Sequence, residues 1–311
     1  MGRCALLLLT LSILFMVGPV AGEESAMEAF STRHFRIHLL SDQRDEGTEV
    51  AADLEAFRSQ YKALMGSLVP LHEQARRLEV FTFDGPEGLK AVMSDFPQLK
   101  LGTGIFPGEA RARAPGMVAV DATGLLGRSD LAGLFHGLVH LCHDALFYNP
   151  DVSGSWWVRE GIAVYLMQTP YEEDGTFRVG KVRTSEGYIA DTSKSGRVSG
   201  THPSAEQPKK SLSVAAQAFE NGQHLPLADL LDHDASMAWP DRDKRDLAAI
   251  QSWVLVHFLL HGPEDELRSR MARFLELERQ GKGGAETFRR VVSGDLDRLE
   301  PLVYRHIKQM R

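Results

Sequence analysis

The sequence predicts an α+β chain: an N-terminal mixed β-sheet with its helices, then a pair of apolar helices, then a helical C-terminal part. Three observations predict it. Segments with the two-residue alternation of strands fall before residue 122, segments with helical period dominate from residue 129 onward, and a polar stretch over 169–210 interrupts them. At 311 residues and 43% hydrophobic content, the chain can bury one large core or two modest ones.

The first residues stand outside that core. Arg3 precedes an apolar run from Cys4 to Val17, and Gly18-Pro19-Val20-Ala21-Gly22 offers small residues for cleavage after Gly22. The run is short for a bilayer span, so 1–22 reads as an export signal peptide, with an uncleaved anchor as the alternative. The remainder is expected to be periplasmic or extracellular and free of the membrane. It keeps one cysteine, Cys142, so no internal disulfide can form, and a buried apolar role is expected for that thiol. The remainder carries 34 basic and 42 acidic side chains, since the leader holds only Arg3, and it has no basic run. That balance argues against nucleic acid as a partner.

Residues 23–168 are expected to form the first structural part. Thr32 to Leu40 reads as a strand, with Phe35, Ile37 and Leu39 on the buried face and His34, Arg36 and His38 on a solvated one. Glu49 to Leu68 is a helix, because Val50, Leu54, Phe57, Tyr61, Leu64 and Leu68 step by three and four. Leu78 to Phe83 is a second strand, Gly85-Pro86 starts a short helix to Phe96, and Gly104 to Asp121 reads as a bent hairpin ending in Met117–Val120. Ser129 and Asp130 suit the start of a helix reaching about Phe147, where Asn149-Pro150 stops it. Trp156 to Met167 forms the next helix. The polar stretch 169–210 is either a lid or a disordered insertion. Residues 211–311 are helical: Ser213–Glu220, Lys244–His261 closed by Gly262-Pro263, and amphipathic segments near 264–279, 284–292 and 295–309.

The chemistry concentrates in the apolar helix pair. His136 and His140 lie four apart and therefore project from one helix face, as two imidazoles gripping one metal ion must. Twelve histidines in 311 residues give about 0.5 such pairs by chance, so the spacing alone decides little. Glu160, twenty residues after the second histidine, adds a carboxylate from the neighbouring helix. Two histidines and a carboxylate with a fourth position open are the donor set of a catalytic zinc site.

Together, His136-Gly137-Leu138-Val139-His140 and Trp157-x-x-Glu160-Gly161-x-Ala163-x-Tyr165 resemble the two motifs of the gluzincin clan of zinc metallopeptidases, and within it the secreted bacterial proteins with a peptidase MA-like domain. The segment Ser252-Trp253 through Leu255-Val256-His257-Phe258-Leu259 is also similar to that family, and the resemblance covers most of residues 28–309. It implies a zincin-like fold, zinc held by His136, His140 and Glu160, and a peptide or protein as ligand. It also implies that the strand just before the metal helix is an edge strand able to pair with extended peptide.

The first motif departs from the clan's His-Glu-x-x-His. Gly137 stands where the clan has the glutamate that deprotonates the metal-bound water, so no catalytic residue is assigned. Lost general-base help typically costs about 10²–10⁴-fold in rate. His143 or Asp144 could act as a substitute base, and His143 could pair with His140 as a ligand. Tyr165, Tyr188, His257 and His261 are candidate oxyanion donors, and Asp130, Asp144 and Asp151 candidate orienters of the ligand imidazoles. Three functions follow: a zinc-binding pseudopeptidase, an active peptidase with a substitute base, or a metal-free binding scaffold.

Overall fold

A computed structural model describes residues 27–40, 47–73, 76–101, 112–114, 116–121, 131–149, 151–152, 154–170, 178–182, 207–233 and 242–310. The fold is α+β. Among the described residues, six strands form one mixed sheet: β1 (Met27–Ser31), β2 (Phe35–Leu40), β3 (Leu78–Phe83), β4 (Lys100–Leu101), β5 (Ala112–Ala114) and β6 (Met117–Asp121), in the spatial order β1-β2-β3-β6-β5-β4. The central pairs β2–β3 and β3–β6 are parallel, and the flanking pairs are antiparallel.

Strand alternation sends side chains to two covered faces. Phe35, Ile37, Leu39, Val80, Val118 and Val120 join the main core under α1 (Gly47–Gly66), whereas Phe81, Phe83 and Ala119 pack with Val92 of α2 (Gly85–Asp95) on the opposite face. That second cover corrects the expectation of a solvated histidine face. His38 is buried there, stacked on Phe81 at 4.3 Å and bonded through Nε2 to Glu79 at 2.9 Å. His34 at the strand's start is partly buried and pairs with Glu55 of α1 at 2.7 Å. The edge expectation also changes. β6 is paired on both sides, and the sheet's edges are β1 and β4.

Beyond the sheet run α3 (Leu131–Cys142), a π-helical turn (His143–Phe147) and α4 (Trp156–Met167). The C-terminal part consists of α5 (Gln207–Glu220), α6 (Leu227–Asp232), α7 (Arg242–His261), α8 (Asp265–Glu278), α9 (Ala285–Val291) and α10 (Leu296–Met310). The main core is continuous from the sheet through α3 and α4 into these helices. Helix α4 lies between α3 and α7, which is why it is apolar nearly all round: every residue from Trp156 to Met167 except Arg159 is buried. No helix among the described residues is long and apolar enough to cross a membrane. The expected signal peptide, Ser129, Asp130 and most of the 169–210 stretch lie outside the described residues.

Candidate metal centre

The helix pair that carries the two motifs is built by close packing. Phe135 of α3 stacks on Phe57 of α1 at 4.9 Å, while Leu138, Val139 and Leu141 are buried in the core. This leaves the His136–His140 stripe facing α4. On α4, Gly161 lets the backbones of α4 and α7 meet: a Cβ at that position would lie 2.7 Å from the Ser252 carbonyl oxygen and 2.9 Å from Val256 Cγ2. Glu160, one residue earlier, is thereby held toward the histidines.

The structure brings His136, His140 and Glu160 together, with relative exposures of 4%, 5% and 7%. The two Nε2 atoms lie 3.1 Å apart; His136 Nε2 is 3.3 Å from Glu160 Oε2, and His140 Nε2 is 3.5 Å from Glu160 Oε1. Four tetrahedral ligands at zinc's usual 2.0–2.1 Å bond lengths stand about 3.3 Å from one another. The three donors therefore already have the mutual spacing of one metal ion's ligands, and as a group they can hold one. Gly137 is buried in the same helix and contributes no side chain.

Neither substitute base proposed from the sequence joins the three clustered donors. His143 is completely buried, flanked by the rings of Tyr61, Phe147 and Tyr148 and 6.4 Å from the His140 ring centroid. Burial holds its imidazole well below the usual pKa. It is not among the three clustered donors. Asp144 pairs with Arg159 Nη2. Cys142 is a buried thiol whose pKa burial pushes up to about 12, and it is not among the three clustered donors.

The candidate oxyanion donors form a separate polar cluster. Tyr165 Oη and His261 Nε2 are 2.8 Å apart, Gly180 N–H donates to the same hydroxyl at 3.1 Å, and His257 Nδ1 faces His306 Nε2 at 2.9 Å. His257, His261 and His306 do not assemble into a second three-ligand group among the described residues. Tyr188 lies outside those residues. Asp151 lines a surface cleft of about 360 Å³ with Asp232, His233 and Glu278.

Sequence reasoning missed the polar network behind the ligands. Arg159 pairs with Asp144 and lies over the Tyr148 ring, its guanidinium carbon 4.9 Å from the centroid. Tyr148 Oη donates to Glu278 Oε1 at 3.3 Å. Glu278, buried on α8, also accepts the Ser155 backbone N–H and, at 2.9 Å, the Ser155 hydroxyl. Burial raises the Glu278 pKa. The signal was visible: Arg159 is the one cation in an otherwise apolar helix, and such a residue needs a buried partner. No family model matches the sequence, and neither a curated protein nor a solved structure matches it.

Proposed function

We propose that the chain is an exported, gluzincin-like zinc protein that binds peptide or protein and is a weak peptidase at most. The observation that carries this reading is the 3.1–3.5 Å mutual spacing of two imidazole nitrogens and one carboxylate, all nearly excluded from solvent. Two imidazoles and one carboxylate match zinc's preference for nitrogen and carboxylate oxygen better than the all-oxygen preference of calcium or magnesium. His136 and His140 would bind through Nε2 and Glu160 through its carboxylate.

Bound zinc would supply Lewis acidity and lower the pKa of a coordinated water. What this chain's own residues can add is limited. Peptide hydrolysis needs a group that accepts the water's proton and returns it to the leaving amine. Gly137 has no side chain to do so, His143 is sealed among aromatic rings, and Asp144 is occupied by Arg159. Binding without efficient cleavage is the function that this residue set supports.

Elemental analysis of the purified protein beside a His136→Ala, His140→Ala double variant tests the metal. Near one zinc per chain, absent from the variant, is expected. A protein that takes up no metal even after incubation with zinc would leave a hydrogen-bonded, metal-free scaffold as the answer.

A further inference from the structure

The loop between the two ligand helices is tied by a chain of polar contacts. Asp144 lies four residues after His140, and Arg159 immediately precedes Glu160. Their ion pair therefore joins the two helices within about one turn of a ligand on each side. Tyr148, at the end of the π-helical turn, presents its ring face to the same guanidinium, and the His143 carbonyl accepts its N–H at 2.9 Å, five residues back. Glu278 then holds both Tyr148 and the first residue before α4. Gly154 has a positive φ of 72° beside the Tyr148 ring, where a Cβ would collide with that ring.

We propose that Arg159 is a positioning residue for the metal centre, locking the axial register of α4 against α3 through Asp144 and Tyr148. The inference rests on the zinc reading. Apolar packing is non-directional, so the buried apolar residues along α3 and α4 resist separation of the helices more than sliding or rotation. A slip of one residue moves a side chain by about 1.5 Å along the axis and about 100° around it. Metal–ligand distances tolerate about 0.2 Å. A charged pair with a planar donor over an aromatic face supplies the missing direction. The Arg159 charge is also attracted to the Glu160 carboxylate directly.

Zinc affinity of Arg159→Met and Asp144→Asn, measured by chelator competition, tests this beside the absorption spectrum of the cobalt-loaded proteins and the unfolding midpoint without metal. Asp144 is the more exposed partner, so Asp144→Asn is the variant that keeps the fold if Arg159→Met does not. Each variant is expected to bind zinc about tenfold or more weakly, with an altered cobalt spectrum, and the double variant to be no weaker than Arg159→Met alone. Wild-type affinity and spectrum in the folded variants, with only the midpoint lowered, would reduce the pair to a structural brace and overturn the inference. A wild type that binds no zinc would overturn the zinc reading itself, and the inference with it.

Discussion

On the proposed zinc reading, Gly137 is where the chemistry of this chain is decided. It sits between His136 and His140 on a buried helix, where a glycine is about 1 kcal/mol less favourable than alanine. The donors on either side of it are spaced as ligands, so on the proposed zinc reading what the described residues lack there is a proton acceptor. Gly137→Glu should therefore be a gain-of-function change. In zinc-loaded protein, peptide hydrolysis is expected to rise by about 100-fold or more over wild type and to disappear with a chelator. No gain in a variant that still binds one zinc would mean that the surrounding cleft does not present a peptide bond to the metal. Wild-type hydrolysis already abolished by His136→Ala would instead point to a base other than His143 and Asp144.

At the scale of elements, the decisive contact is α4 against α7, which fixes the helix that carries Glu160. Gly161→Ala would place a methyl 2.7 Å from the Ser252 carbonyl oxygen, a backbone atom that cannot swing aside. Overpacking of this kind typically costs about 1–3 kcal/mol, which exceeds the gain of about 1 kcal/mol in helix propensity. A lower denaturant midpoint is expected; an unchanged or higher one would show that the two helices can part without loss. This contact also marks what the sequence could convey. The period of Val50, Leu54, Phe57 and Tyr61 and the alternation of Phe35, Ile37 and Leu39 were legible because each depends on local spacing; that His136, His140 and Glu160 belong together was legible only through the motif resemblance, since Glu160 comes from another helix. The burial of His38 under α2, the pairing of β6 on both sides, strand β1 and the short helix α6 were not. They depend on what lies opposite in space, or on segments of only five or six residues with little period to read. Arg159 was readable as an oddity in an apolar helix, but its partners Asp144, Tyr148 and Glu278 come from three separate places in the chain.

Across the whole molecule, α4, α7, α8, α10 and the 178–182 segment meet at a buried group of histidines that links stability to pH. Burial pushes the His257 imidazole down to about 3 and that of His261 to about 4, and His306 is lowered as well. The groups facing them are His306 from α10, Tyr165 from α4, Gly180 N–H, and Arg268 of α8, whose charge also lowers His261. In the unfolded chain these imidazoles return to the ordinary value of 6.5. Between that value and the folded ones the unfolded state binds more protons, so stability falls as pH falls. The contribution is fully present above pH 6.5, shrinks below it, and is gone once the pH passes the folded values of about 4 and about 3. The denaturant midpoint of metal-free protein should therefore drop between about pH 7.5 and about pH 5. His261→Phe should flatten that drop by no more than about 1 kcal/mol, because part of its ring reaches solvent and is screened. Equal slopes for wild type and variant would show that His261 binds protons alike in the folded and the unfolded chain. The acid sensitivity would then have to come from His257 and His306 alone.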